Sequence, residues 1–194
     1  MVVLRAMLVA ALVLAPGLAQ AASYEDEVLR ELNRVRADPS ALARELRESA
    51  PADAKAWDLS ADPHAVDEAI EFLSRQAPLP PLNSDGRLAE AAFEHAAGQG
   101  PTGELGHGAP GSLGRRIQGQ GLWPGLCGET ISYGQTTPRD VVKQLIVDFG
   151  VADRGHRQLI FSQGFELAGV ACGPHKAYGS MCVIDLAGAL PPRN

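Results

Sequence analysis

The chain has 194 residues, with 17 basic and 23 acidic side chains and a formal net charge of −6. This acidic balance argues against nucleic acids and anionic membranes as partners, because both bind to basic surfaces. The length fits one domain that can bury its own core, and three cysteines are too few for a disulfide scaffold.

The first 21 residues are predicted to be a secretory signal peptide. Arg5 precedes an almost purely apolar run over 6–18, and Ala19-Gln20-Ala21 supplies a small-x-small cleavage pattern. The apolar run is too short to span a membrane comfortably, and no later stretch is long and apolar enough. We therefore expect an exported protein, periplasmic or secreted, without a membrane span after signal removal. Its mature form keeps 16 basic and 23 acidic side chains, a charge of −7.

The first part of the mature chain is predicted to be helical, because apolar residues recur there at helical spacing. Ser23 is a suitable N-cap for the first helix, with acidic residues in the turn that follows. Helices are predicted over 23–38, 39–49 and 63–75, with an irregular stretch at 50–62 and a proline linker at 77–81.

The second part combines helices with strands. A helix opening at 84–87 has a narrow stripe of mostly small residues, formed by Leu88, Ala92, Phe93 and Ala96. A glycine-rich loop at 98–114, a short helix at 113–118, a connector at 119–128 and a strand at 129–133 follow. A helix then begins at Thr137-Pro138, and a hairpin pairs 165–172 with 181–187 around a turn at 174–179. Helices first and strands last indicate an α+β fold.

Four ionisable residues are candidates for a functional site because of where the pattern places them. Asp148 lies at the margin of the apolar face of the helix that begins near Thr137. His156 opens the next element, within Gly-His-Arg, and His107 lies between two glycines on a loop. Glu129 lies where a connector enters a strand. The remaining histidines are predicted on helix surfaces or in the hairpin turn: His64, His95 and His175.

The cysteines suggest one disulfide bond. Cys172 and Cys182 flank the predicted hairpin turn symmetrically about Ala177, so they face each other on paired strands of an exported chain. We therefore predict a bridge between them, against the alternative of two buried free thiols. Cys127 is then left over, and either a reactive or an inert thiol is open to it.

Five short motifs occur in a fixed order, together with Leu-Asn-Arg-Val-Arg (32–36) in the first helix. They are Leu-Pro-Pro-Leu (79–82), Leu-Gly-His (105–107), Gly-Glu-Thr-Ile (128–131), Gly-His-Arg-Gln-Leu-Ile (155–160) and Gly-Val-Ala-Cys-Gly (169–173). This series resembles the CAP superfamily of cysteine-rich secretory proteins, antigen 5 and pathogenesis-related proteins, in its bacterial exported form. The resemblance covers 79–186 and the first helix.

The resemblance implies an α-β-α sandwich with a small antiparallel sheet between helical layers. It implies one domain over 22–194, in which 39–77 is expected to be a helical insertion. It also implies a cleft holding two histidines and two acids, which fall here on His107, Glu129, Asp148 and His156. The family usually has Glu where this chain has Asp148.

For function, the resemblance implies that the cleft binds a lipid, a sterol or a partner in the cell envelope. Imidazole and carboxylate also suit a divalent metal such as zinc, with His107 and His156 as primary ligands and the acids as ligands or orienting groups. A metal-assisted, peptidase-like hydrolase with Glu129 as general base is an alternative. A secreted structural or interaction module, whose four residues only bond to one another, is another. No nucleophile is obvious, so we assign no catalytic residue.

Overall fold

The computed structural model describes residues 21–56, 62, 64–123 and 125–189. The predicted signal peptide lies outside these residues, apart from Ala21. The described elements are α1 (Tyr24–Ala37), α2 (Pro39–Ala56), α3 (Ala65–Arg75), β1 (Asn83–Ser84), α4 (Gly86–Gln99), α5 (Ser112–Gly119), β2 (Cys127–Tyr133), α6 (Pro138–Val147), α7 (Gly155–Ile160), β3 (Leu167–His175) and β4 (Gly179–Ala187). Helices first and strands last confirm the α+β class.

The strands form one sheet in the order β1-β3-β4-β2. The predicted hairpin is present, with β3 antiparallel to β4, and β2 runs antiparallel along the other side of β4. The short strand β1 pairs in parallel with β3 at Asn83 and Leu167. The sheet is therefore mixed, whereas an antiparallel sheet was predicted. The strand β1 was not predicted, because two residues are too few to give a periodic signal.

Both faces of the sheet are covered by helices, which confirms the predicted sandwich. Along β4, successive side chains point to opposite faces. Cys182, Ile184 and Leu186 enter a core with residues of α1, α2, α3, α6 and α7. Met181 and Val183 pack with residues of α4 on the other face.

Helix α4 lies very close to the sheet, as its small residues predict. A Cβ atom at Gly169 of β3 would be 2.0 Å from the backbone nitrogen of Ala89, so only glycine fits there. The buried stripe of α4 differs from the prediction, since Phe93 is 54% exposed. The stripe runs along Leu88, Ala91, Ala92, His95, Ala96 and Gln99.

Two predicted helix starts carry the expected caps, and one predicted end is wrong. Ser23 and Asp26 form a reciprocal capping box at α1, and the Thr137 hydroxyl accepts a bond from the Asp140 amide at α6. Helix α2 continues to Ala56, although 50–62 was predicted to be irregular. Of the rest of that stretch, 57–61 lie outside the described residues.

The motif residues of α1 hold the linker that precedes β1. The Asn33 amide donates to the Leu82 carbonyl (2.9 Å) and accepts from the Leu82 amide (2.8 Å). The buried Arg36 guanidinium donates to the carbonyls of Pro80 and Ile160. These bonds join three of the sequence motifs directly.

The predicted disulfide bond between Cys172 and Cys182 is confirmed. The two residues are register partners on β3 and β4, as the symmetry of the hairpin requires. No helix among the described residues is long and apolar enough to cross a membrane.

Candidate functional site

A cavity of about 380 Å³ opens beside strand β2. Its wall combines three of the four candidate residues with mostly apolar neighbours. The lining comprises Leu105, Gly106, His107, Ile131, Tyr133, Gln144, Leu145, Asp148, Phe149, Val151, His156 and Tyr178. The fourth candidate, Glu129, is buried behind His107 with only 2% of its side chain exposed.

His107 reaches the cavity from the loop between α4 and α5. Its Nδ1 lies 2.8 Å from Oε1 of Glu129, and its side chain is 53% exposed. A carboxylate only accepts hydrogen bonds, so Nδ1 donates this bond, which in the neutral ring leaves Nε2 as the acceptor. His107 is therefore oriented by a buried acid while its other nitrogen remains accessible.

The loop that carries His107 is fixed at the preceding glycine. The Gly106 carbonyl accepts a bond from the Gln99 side chain (2.7 Å) and lies 3.0 Å from Nε2 of His95. The Gly106 amide donates to the Tyr133 hydroxyl (3.0 Å), which itself donates to Gln99 (2.7 Å). Gly106 has a φ of 86°, a conformation that suits glycine. Three side chains from α4 and β2 thus fix the backbone of Gly106, the residue that precedes His107.

Glu129 belongs to a buried charge cluster on the α4 face of the sheet. It forms an ion pair with Arg116 of α5 and lies opposite Asp185 of β4. Burial raises the pKa of Glu129, but the bond to His107 and the charge of Arg116 outweigh this effect and hold the pKa below its ordinary value. Burial, together with the neighbouring charge of Glu129, raises the pKa of Asp185 to about 8. Glu129 therefore holds the negative charge, and Asp185 holds a proton.

His156 is oriented by Asp148, which occupies the left-handed C-cap of α6 with φ 56°. The Asp148 carboxylate lies 2.7 Å from Nδ1 of His156 and accepts bonds from the amides of His156 (2.9 Å) and Arg157 (3.2 Å). Asp148 was placed on the margin of the helix by phase; it actually ends the helix. Its short side chain suits this position, because Asp tolerates the left-handed conformation better than most residues.

Arg157 fixes the start of α7 against the end of α6. Its guanidinium donates to the carbonyls of Ile146 (2.6 Å) and Val147 (2.8 Å), which have no partner within α6. Only 4% of Arg157 is exposed. Arg157 lies in the Gly-His-Arg motif, but nothing in the sequence indicates this role.

The two imidazoles face each other across the cavity, with ring centroids 6.3 Å apart. Two imidazoles bound to one zinc ion have centroids about 5 to 6 Å apart, given Zn–N distances of about 2.1 Å. Among the described residues, no group of three or more His, Cys, Asp or Glu is arranged to hold a metal. The rings of His107 and His156 lie slightly farther apart than two zinc-bound imidazoles, so they would have to move closer together to share one ion, whose coordination solvent or a bound molecule would complete.

Several residues differ from their predicted roles. His95 is buried beside Gly106 rather than on the helix surface, and His175 is the buried last residue of β3 rather than part of the turn. His64 is exposed, as predicted. Cys127 is a free thiol whose pKa is raised by burial, which disfavours the reactive alternative.

Asp185 and Arg116 were missed by the sequence reasoning. Asp185 had one detectable signal, since it is the only acid in the otherwise apolar strand β4. Arg116 had none, because an arginine on a short helix reads as a solvated residue.

The family model that matches this chain is described as the cysteine-rich secretory protein family, CAP, and it spans residues 29–186. The chain belongs to this family. The match begins within α1 and includes the elements that surround the cavity. It confirms the resemblance found in the sequence motifs.

Solved structures similar to this chain include two bacterial proteins. One is an extracellular protein containing an SCP domain from Bacillus anthracis str. Ames, with 24% identity and a TM-score of 0.46. The match covers 57% of this chain but only 35% of that protein. The other is an outer surface protein from Borrelia burgdorferi, with 14% identity, a TM-score of 0.48, and 82% and 92% of the two chains covered. Comparison with curated proteins gives no match.

Proposed function

We propose that this family member is exported and binds a lipid- or sterol-like molecule in the cavity, with a polar group of that molecule at His107 and His156. The observation that carries the proposal is the composition of the wall. Apolar side chains such as Leu145, Phe149 and Val151 line one part, and two oriented imidazoles line another. A wall of this kind favours a ligand with an apolar body and a single polar group.

A divalent ion such as zinc is the second part of the proposal. Each imidazole donates its Nδ1 proton to an acid, which is how metal-bound histidines are usually held. His107 and His156 would be the two protein ligands. When bound, such an ion supplies a positive charge that attracts an anionic group of the ligand.

Glu129 and Asp148 act as orienting groups in this proposal. The Asp148 carboxylate already accepts three hydrogen bonds, and Glu129 is occupied by His107 and Arg116. Because Glu129 is buried behind His107, it has no direct path to a ligand in the cavity. This placement does not favour the hydrolase alternative, which needs Glu129 as general base.

Export is proposed from two features of the chain. The predicted signal peptide precedes the described domain, and the Cys172–Cys182 bond is typical of proteins that fold in an oxidising compartment. Detection of the protein in periplasmic or culture fractions, with an N-terminus at Ala22, tests this point. A protein that is found in the cytoplasm and still carries residues 1–21 contradicts the proposed export.

Binding is tested with two probes, Zn²⁺ alone and a dansyl-labelled fatty acid. We expect a His107→Ala, His156→Ala double variant to lose Zn²⁺ binding in calorimetry by at least about tenfold in affinity. Leu105→Ser, at an exposed wall position, should weaken fatty-acid binding and leave Zn²⁺ binding unchanged, because it removes apolar surface without adding a charge. His64→Ala, an exposed histidine outside the cavity, is the matched control.

The outcomes separate the alternatives. A wild-type protein that binds neither probe contradicts the proposal and favours a structural role for the four residues. Zn²⁺ binding without fatty-acid binding leaves a metal site and removes the lipid-like ligand.

A further inference from the structure

The loop between α6 and α7 has an unusual backbone. Asp148 (φ 56°) and Arg154 (φ 53°) are the non-glycine residues with positive φ in the described part of the chain. Such conformations are less favourable for residues that carry a side chain than for glycine. Since both residues lie at the ends of the loop that delivers His156, the contacts of their side chains decide whether this loop holds its shape.

We propose that Arg154 is a positioning residue, through which the segment predicted to be an insertion (39–77) holds His156 at the cavity. This inference rests on the proposed function only in taking His156 as part of the site. It gives a role to a segment for which the sequence suggested none beyond helical packing.

Arg154 holds the loop from inside. Its Nη1 donates to the carbonyl of Asp148 (2.9 Å) and to that of Val151 (3.1 Å). The Asp148 carboxylate in turn binds both the ring and the amide of His156. Asp148 therefore links the guanidinium of Arg154 to the imidazole of His156 through hydrogen bonds.

The same guanidinium reaches outward to the predicted insertion. Nη1 and Nη2 donate to the two carboxylate oxygens of Asp62 (2.6 and 3.2 Å), and Nε donates to Glu68 of α3 (2.8 Å). Asp62 also accepts a bond from the amide of Gly150 (3.1 Å). The insertion therefore contacts the loop in two ways, through the side chain of Arg154 and through the backbone amide of Gly150.

These contacts differ in burial, and we expect the more buried contact to be the stronger. The side chains of Arg154 and Asp62 are 13% and 20% exposed, whereas that of Glu68 is 48% exposed. The bond with Arg154, followed by that from Gly150, lowers the pKa of Asp62. A two-pronged, mostly buried pair is specific in geometry as well as in charge, so Asp62 is the principal partner of Arg154.

A second contact joins the insertion to the same region. Phe72 of α3 lies 5.3 Å from Phe161, measured between ring centroids, and its ring is 5.7 Å from the guanidinium carbon of Arg157. Arg157 is the residue that binds the end of α6. The insertion thus supports both the loop before His156 and the helix after it.

The test compares Arg154→Gln with Arg139→Gln. Arg139 also links α6 to the insertion, through Glu45 of α2, but it does so at the far end of α6. Ring ¹⁵N chemical shifts report which nitrogen of each histidine carries the proton. We expect Arg154→Gln to change the ring shifts of His156 towards a mixture of tautomers, while those of His107 stay unchanged and Arg139→Gln changes neither.

Zn²⁺ affinity is the second readout. Loss of an outer group that orients a metal-bound histidine typically weakens binding by about 10- to 100-fold, and we expect a loss at the lower end of this range for Arg154→Gln. If the wild type does not bind Zn²⁺, the proposed metal fails, but the ring shifts still decide the positioning role. The two proposals can therefore fail separately.

Three further variants guard against misfolding. Arg154→Lys keeps the charge but loses the planar fork, so it should show an intermediate change at His156. Asp62→Asn should resemble Arg154→Gln, and the half-exposed Glu68→Gln should have a smaller effect. Unchanged His156 shifts in folded Arg154→Gln and Asp62→Asn overturn the inference, even if both variants lose stability, because that result assigns Arg154 a purely structural role.

Discussion

The two halves of the candidate site reach the cavity by opposite means. His107 lies on a glycine-rich loop, and its ring is bound to a buried acid on the edge strand β2. His156 lies at the start of a helix, and its ring is bound to an acid that ends the preceding helix. The His107 side chain is 53% exposed and the His156 side chain 21%.

The two histidines differ in whether the contacts that orient them are local or join distant parts of the chain. Asp148 orients His156 through three bonds made within nine residues of chain. Glu129 orients His107 through a charge cluster that combines α5, β2 and β4. We therefore expect the His156 half to depend on local backbone geometry, and the His107 half to depend on long-range electrostatics and hence on pH.

The largest effect is expected from Asp148→Ala. The change removes three hydrogen bonds to a carboxylate and leaves alanine in a left-handed conformation, so the free energy of unfolding should fall by about 4 kcal/mol. Urea denaturation measures this loss. Asp148→Asn, which tolerates the same backbone and keeps one acceptor, should lose about half as much. A loss below about 1 kcal/mol for the alanine variant contradicts the local account of this half.

The next largest effect concerns Asp185. Its pKa is about 8 in the folded protein and 3.8 ordinarily, so the folded state holds this proton to higher pH. Its contribution to stability is therefore greatest below pH 3.8 and declines as the pH rises towards 8, with a limiting slope of about 1.4 kcal/mol per pH unit.

Asp185→Asn removes this dependence. We expect the variant to be more stable than wild type at pH 7 by about 2 kcal/mol, less than the full linkage because the amide is also buried. The gain should vanish near pH 4. Denaturation curves at pH 4, 6 and 8 measure it, and a pH-independent difference would show that Asp185 is already ionised in the folded protein.

A smaller effect is expected from Tyr133→Phe, which removes the hydroxyl between Gly106 and Gln99. The cost should be about 1 kcal/mol, the usual contribution of a hydrogen bond. Faster hydrogen exchange at the Gly106 amide, without change at the amides of His156 and Arg157, would confine the effect to the His107 half. Tyr178→Phe is the control, because Tyr178 is half exposed and its ring centroid lies 5.8 Å from that of Tyr133.

The smallest effects are expected from the histidines themselves. In metal-free protein, His107→Ala should change the free energy of unfolding by less than about 0.5 kcal/mol, because the ring is half exposed and Glu129 keeps Arg116. His156→Ala should cost slightly more, since its ring is better buried. A loss above about 2 kcal/mol for either variant would favour a structural role over a binding role.

The sequence predicted the sandwich and four residues that the structure brings to one place, but for uneven reasons. His156 was identified by its Gly-His-Arg setting, and that setting is what places it at the start of α7. Asp148 was identified by helical phase, although it lies at the cap beyond the last turn. Helical phase and cap geometry both identify Asp148 only because the helix ends where its apolar stripe ends.

What the sequence did not predict depends on contacts between distant residues. The pairing of Arg154 with Asp62 joins residues 92 positions apart, and the bond from His95 to Gly106 depends on how the loop folds back on α4. Neither contact gives rise to a periodic sequence pattern from which it could be predicted. The prediction for residues 50 to 56 was wrong for a related reason: Pro51 and Asp53 suggest an irregular chain, yet α2 continues through this stretch.

The two histidines also belong to different layers of the sandwich. Glu129 points to the α4 face of the sheet, and α6 and α7 pack on the other face. A molecule or ion that engages both rings therefore joins the two layers as a non-covalent cross-link. Because binding to the folded state alone raises the unfolding temperature, a thermal-shift screen should respond most strongly to compounds that span both rings, and such a screen could identify the natural ligand.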